Sequence, residues 1–331
     1  MSRPINHIGS SPLAPHIKQF IDHKRSIGRK YENEEIGLRL FERYLLKQKI
    51  RSLDDITPAL IQDFLASRPR KKPRSYNLLL GAVRVLFRWL VARQIVRRSP
   101  VIARPRRGSK TRIPVIFKPE EVRRLLELTG SLSDKYGGKL RGPTYRTAFA
   151  VLYSLGLRVG EVCRLRQENI DWDHKILTIR KSKFGKSRLV PFGPKLGKLL
   201  GDYIDLRKKQ GDLASSNSLV FSVHGKLPLR RQALGKVLRA LAPQIGISRP
   251  GGLVSPRIHD FRHTFAVRTL LRWYRSGINP SERLIHLSTF MGHVQPESTA
   301  IYLTITTELL EVAGERYERF ANSALPKSVL P

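Results

Sequence analysis

Apolar residues recur along this chain at helical spacing for most of its length. Ile17, Phe20 and Ile21 share one face of a helix expected from about Leu13, and Ile36, Leu40, Phe41, Tyr44 and Leu45 make a clearer stripe on a second. Thr57 followed by Pro58 predicts a helix start, because threonine caps the first free amides and proline suits the first helical position. Leu60, Ile61, Phe64 and Leu65 then form a short stripe. A longer helix is expected from near Ser75, with Leu79, Val83, Leu86, Phe87 and Leu90 inward. Residues 1–12 read as a flexible lead and 13–102 as a bundle of about four helices.

The pattern breaks at residues 103–112, where Pro105 and Gly108 interrupt a run dense in arginine and lysine with no apolar face. This reads as a basic linker, able to lie along phosphates as well as to join two domains. Residues 113–331 then mix helices with a little sheet. A helix is expected from Lys118-Pro119, a loop over Ser131–Pro143 and a buried helix over Tyr145–Leu155. Ile176–Ile179 and Arg188–Pro191 read as a hairpin turning near Phe184-Gly185, and Leu219–Phe221 as a short third strand. Helices are expected from Arg231 to Ala321, so the fold class is mainly α with a small β-sheet.

Charge narrows the function. The formal net charge is +36 over 331 residues, and such a surplus is best used against a polyanion. Duplex DNA, with one charge per ~1.7 Å, is the expected partner, an RNA of the ribosomal kind the alternative. Cys163 is the only cysteine, which excludes an intrachain disulfide and a zinc–cysteine cluster and fits a reducing compartment. No secretory apolar region stands near the start, and no apolar run approaches the roughly 20 residues of a membrane span. A soluble cytoplasmic protein with no membrane partner is the expectation.

Candidate chemistry is concentrated in the second half. Gly156-Leu157-Arg158 with Glu161 and Leu165 offers an arginine at a turn between two helices, although an Arg-x-x-Glu step is ordinarily a surface ion pair. Lys183 stands at the basic hairpin tip, with Lys181 and Lys186 beside it, where a solvated turn is the ordinary outcome. In His259-Asp260-Phe261-Arg262-His263, His259 and Arg262 share a helix face. His259 and His263 have the i, i+4 spacing of a metal pair, but no third ligand motif accompanies them. His293 follows Gly292, and Tyr302 comes nine positions later between Ile301 and Leu303. Taken singly, a tyrosine in that setting belongs to a core.

In this order and spacing the set resembles the active site of the tyrosine recombinases, the site-specific DNA recombinases of the lambda-integrase and Xer type. The resemblance covers about Leu13 to Leu310. It implies a helical core-DNA-binding domain followed by a catalytic domain with a helical tail. It also implies Tyr302 as nucleophile forming a 3′-phosphotyrosyl bond, Arg158, Arg262 and His293 on the phosphate, Lys183 or His259 in proton transfer, and Glu161 supporting Arg158. Arginine suits the phosphate because its planar fork donates paired hydrogen bonds and stays charged; lysine and histidine can give up a proton. One ester is traded for another, so no cofactor or metal is expected. The implied partners are double-stranded DNA at specific sites, a homo-oligomer reaching a tetramer in synapsis, and accessory recombination proteins.

Two departures from the family pattern stand out. Phe184 replaces the usual glycine after the hairpin lysine, and Ser154 the usual threonine. The stretch from Leu270 to Pro280 and on toward residue 290 reads as an added loop compared with compact members, as does Ser131–Pro143. The lengthened loops, without an obvious extra arm-binding domain, favour a mobile-element recombinase. A type IB topoisomerase and a non-catalytic architectural protein keeping the fold are the alternatives, with a metallohydrolase further off.

Overall fold

The computed structural model describes residues 11–70, 72–108, 114–134, 139–180, 187–211, 213, 215–224, 227–247, 255–293, 297–300, 302 and 314. The chain divides into two units, Met1–Arg112 and Ile113–Pro331.

The first unit contains α1 (Ala14–Ser26), α2 (Glu32–Lys47), α3 (Pro58–Ala66) and α4 (Pro73–Ala92). Its core joins Ile17, Phe20 and Ile21 of α1 to Leu38, Phe41 and Leu45 of α2, Phe64 of α3 and Leu79, Val83, Leu86 and Phe87 of α4. Thr57 caps α3 as expected, its hydroxyl accepting from the Leu60 amide. Ile36 departs from the expected stripe and is 60% exposed. At 100° per residue it lies about 140° round the helix from Phe41, which is the true centre of the buried face. Helix α4 has the length and composition to cross a membrane, unlike anything expected above. Its apolar side instead forms the centre of this bundle.

The start of the basic stretch is held to this unit. Asn77 receives the Arg106 amide on its side-chain oxygen and donates to the Arg106 carbonyl, both at 2.8 Å. The Arg106 guanidinium covers the Tyr76 ring at 4.0 Å and donates to the Arg70 carbonyl. Residues 109–112 of the expected linker lie outside the described residues.

The second unit is built on α6 (Arg141–Leu155), buried on nearly every side. Around it pack α5 (Pro119–Gly130), α8 (Pro194–Lys209) and α10 (His259–Arg275). Thr144 inside this core meets the Tyr203 hydroxyl at 3.0 Å, so its polar group is satisfied. A three-stranded antiparallel sheet runs β1 (Ile170–Asp171), β2 (Ile176–Ile179), β3 (Arg188–Pro191). The hairpin register pairs Ile179 with Arg188. The third strand of this sheet is therefore β1. Val220 and Phe221 are buried, but Leu219 only bridges Arg166; β4 (Ser222–His224) pairs with β5 (Leu227–Pro228) separately.

The fold then continues through α9 (Arg231–Leu241), α10, α11 (Pro280–Met291) and the short α12 (Glu297–Ala300). The loop expected over 270–290 is mostly helix. Leu270 and Leu271 carry the buried face of α10 onward, and the Asn279 side chain caps α11 at Ser281 with Pro280 in the first turn. Helix α6 likewise starts at Arg141, inside the stretch expected as loop. The implied helical tail after Tyr302 lies outside the described residues apart from Gly314.

Candidate active site

Helix α6 stops at Gly156, whose left-handed φ of +57° closes the last turn. A side chain there would meet Phe265, the nearest atom only 2.6 Å from an added Cβ. After this turn Arg158 caps the single-turn helix α7 (Val159–Val162). The Glu161 carboxylate accepts from the Arg158 backbone amide at 2.9 Å and from Arg158 Nη1 at 3.0 Å. Contacts within a single helical turn thus help to aim Arg158.

The opposite wall is the C-terminal end of α11. The last carbonyls of a helix have no intrahelical partner and carry partial negative charge. Here three successive ones each receive a guanidinium. Arg188 Nε donates to Phe290 O at 2.8 Å, Arg262 Nη2 to Met291 O at 2.5 Å, and Arg158 Nη2 to Gly292 O at 2.6 Å. Arg262 also donates to Gly156 O at 2.8 Å, so one buried side chain joins the ends of α6 and α11. Gly292, with φ +69°, turns the chain directly into His293, and a Cβ on it would sit 2.9 Å from Arg188 Nη1. Three guanidiniums against the one carboxylate of Glu161 leave two positive charges, an arrangement suited to a phosphodiester anion.

His293 Nδ1 lies 2.6 Å from the Thr299 hydroxyl. Tyr302 is 2% exposed and packs with Ala266, Val267, Leu270 and Met291. Its ring stacks at 6.4 Å from His293 and meets the His263 ring edge-on at 5.4 Å. His263 in turn lies 4.8 Å from His259.

The charges act on these groups in a consistent direction. Burial pushes the Tyr302 phenol above its usual value, while Arg262 and then Arg158 pull it back. Burial, then Arg262 and Arg158, lowers His293 to about 4, so it is neutral at pH 7. His259 is lowered to about 4 by burial and the neighbouring His263, Arg262 and Arg158. Protein surrounds His259 closely, yet the residue is exposed by its accessible surface, so water screens part of that effect. Arg262 falls to about 9, chiefly through burial, and remains charged at neutral pH. Burial disfavours the Glu161 carboxylate, but hydrogen bonds and charge from Arg188, then Arg158, outweigh it and hold the acid below its usual range.

Two sequence families cover most of this framework. Residues 116–308 match the Phage integrase family, and residues 31–94 its N-terminal SAM-like domain. The integrase/recombinase y4rB of Sinorhizobium fredii is 33% identical over 308 residues, covering 92% of this chain and 96% of its own. The chain belongs to the phage integrase family of tyrosine recombinases. It is a site-specific recombinase by that membership. The tyrosine recombinase XerA of Pyrococcus furiosus is 29% identical over 252 residues, 75% of this chain and 76% of that one. The fold also matches the Tn1549 transposon integrase in complex with a circular intermediate DNA, with TM-score 0.64, 17% identity and 92% and 99% of the two chains covered.

In this recombinase the structure brings five of the six sequence-derived candidates together: Arg158, His259, Arg262, His293 and Tyr302, with Glu161 beneath Arg158. Lys183, Lys181 and Lys186 lie outside the described residues. Three further side chains belong to the site and escaped the sequence reading. Arg188 reads there as the first residue of a strand, Thr299 carries no signal of its own, and His263 reads as half of a metal pair within the His259–His263 motif. Among the described residues no group of three or more His, Cys, Asp or Glu is arranged to hold a metal ion.

Proposed function

We propose that this recombinase binds double-stranded DNA at specific sites and cuts and rejoins it through a covalent 3′-phosphotyrosyl bond on Tyr302, on behalf of a mobile element. The observation that carries the reading is the convergence of Arg158, Arg262 and His293 on the end of α11, beside the Tyr302 ring.

In the proposed step the Tyr302 oxygen attacks the scissile phosphorus and loses its proton. The bond from phosphorus to the 5′-oxygen breaks, and that oxygen takes up a proton. Arg158 and Arg262 neutralise the non-bridging oxygens, and His293 donates a third hydrogen bond. The same two arginines oppose the effect of burial on the phenol, so one pair of charges serves both the phosphate and the nucleophile. A neutral His259 suits proton acceptance, which leaves Lys183 to protonate the leaving oxygen. The burial of Tyr302 requires that its phenol be uncovered when a phosphate enters. Reversal with a different 5′-hydroxyl completes the exchange through a four-armed junction held by four protomers, with accessory proteins where the site demands them.

The net charge of +36 supports a duplex partner. The mobile-element part draws on the y4rB relative, which is named an integrase as well as a recombinase. The test is covalent capture: rapid denaturation of cells, recovery of the tagged protein, and sequencing of attached DNA for wild type and Tyr302→Phe. DNA joined through its 3′ end to wild type alone, from the borders of a mobile element, is the expected result. Attached DNA from a single chromosomal resolution site would reassign the biological role. Specific but purely noncovalent binding by both proteins would favour an architectural protein.

A further inference from the structure

Arg188 stands outside the expected catalytic set, yet it makes more defined contacts than most members of that set. Its Nη1 and Nη2 grip the two oxygens of Glu161 at 3.0 and 2.9 Å, and its Nε holds Phe290 O at 2.8 Å. The partners come from positions 27 and 102 residues away. Both side chains of the ion pair are largely shielded, at 10% exposure for Arg188 and 2% for Glu161. Its backbone is fixed as well, because Arg188 pairs with Ile179 at the closing end of the β2–β3 ladder.

We propose that Arg188 is a positioning residue for strand transfer, acting through Glu161 on Arg158 and through Phe290 on the turn that presents His293. This rests on the catalytic reading above. Glu161 carries one negative charge and faces two guanidiniums. With Arg188 in place the trio keeps one positive charge, and Glu161 is held where it can orient Arg158. Without Arg188 the carboxylate is free to turn wholly onto Arg158, pairing off the charge that a phosphate needs. The same loss unties Phe290, two residues before Gly292 and three before His293. Arg188 has three of its five N–H bonds committed to protein acceptors, which suits a strut better than a phosphate clamp. Lysine cannot replace it fully, since one ammonium cannot span both carboxylate oxygens and the Phe290 carbonyl.

The test uses the full-length protein on a nicked duplex carrying the site recovered by covalent capture, with single-turnover formation of the protein–DNA adduct as the readout. Arg188→Gln is expected to slow adduct formation about 10- to 100-fold, the scale of a misplaced catalytic group, while DNA affinity stays within about threefold. Arg188→Lys should recover part of that loss, and it carries the test if the glutamine variant does not fold. The decisive comparison is made in an Arg158→Lys background, where adding Arg188→Gln should cost no more than about threefold because the residue it serves is already impaired. Equal losses in both backgrounds, or an unimpaired Arg188→Gln in a protein whose wild type forms the adduct, would overturn the role of Arg188 alone. A wild type that forms no Tyr302-dependent adduct would sink the catalytic reading and this role with it.

Discussion

His293 Nδ1 sits 2.6 Å from the hydroxyl of Thr299, a buried threonine six residues further along the chain. The bond fixes the ring plane and ties its orientation to the short helix α12, immediately before Tyr302. A histidine whose one nitrogen is held in this way presents the other in a set direction, and which nitrogen bears the proton follows from the hydroxyl's role. The orientation of the His293 ring is therefore set from the same short stretch that leads to Tyr302.

Thr299→Val keeps the side-chain shape and removes that bond. A lost buried hydrogen bond costs about 1–3 kcal/mol, so adduct formation should slow on the order of tenfold. Noncovalent DNA affinity should not change, because Thr299 is shielded from solvent. Single-turnover cleavage measured beside a binding titration checks this. An unchanged rate would mean that His293 is oriented by other contacts.

Stability should fall as the medium is acidified, in a window set by His293 and, as far as water leaves it unscreened, by His259. The His293 ring titrates near 6.5 in an unfolded chain but at about 4 here, through burial and the charges of Arg262 and Arg158. Between those values the unfolded chain binds a proton that the folded chain refuses, so stability is full above about 6.5 and is lost progressively toward about 4. Glu161 acts in the same direction lower down. Its acid is held below the usual carboxylate range, so its contribution is present above that range and disappears as pH falls through the folded value. Urea midpoints at pH 7.5, 6 and 5 should decline, and His293→Gln should flatten the decline. Parallel curves for the two proteins would show that the ring is solvated.

Gly156 is the joint on which the two halves of the site turn. Alanine there faces the cost of a left-handed backbone, about 1–2 kcal/mol, and an overlap with Phe265 worth a further 1–3 kcal/mol or so. Gly156→Ala should therefore lower stability by about 2–5 kcal/mol in chemical denaturation. It should also disturb Arg262, which uses the Gly156 carbonyl. A loss below about 1 kcal/mol would show that Phe265 can swing aside.

Much of this architecture was legible in the sequence because it is local. The stripe Leu79, Val83, Leu86, Phe87, Leu90 and the Thr57-Pro58 cap each follow from a few neighbouring residues, and each appears where expected. The misreadings have the same scale. Ile36 was placed by its spacing to Leu40 and Tyr44, which are only half-buried at the flank of the true face. The Asn279-Pro280 start signal stands inside a stretch that reads as an added loop, although it opens a twelve-residue helix. Arg188 could not be found in this way. Its meaning lies in Glu161 and Phe290, and a strand beginning with arginine carries no mark of partners 27 and 102 residues away. The ordered set from Arg158 to Tyr302 was recognisable only jointly, since each member alone has a commoner structural use.

Arg262 offers the sharpest separation between holding the phosphate and tuning the nucleophile. It pulls the buried Tyr302 phenol downward, against a burial effect that raises it, and it bonds both Gly156 O and Met291 O. Arg262→Gln removes the charge and keeps an amide donor. At pH 7 adduct formation should fall about 10²–10³-fold, as for loss of one preorganised donor to a transition-state anion. The phenol of the variant loses the opposing charge, so its pKa rises further. Where the phenolate does the attacking, the rate climbs with pH until the phenol is titrated, and the wild type levels off first. Burial holds both phenols above the usual 10, so the two rates climb in parallel between pH 7 and pH 9.5, and the deficit narrows only above that range, as the wild type levels off first. A deficit that fails to narrow above that range would mean that Arg262 serves the phosphate alone and leaves the ionisation of Tyr302 to other groups.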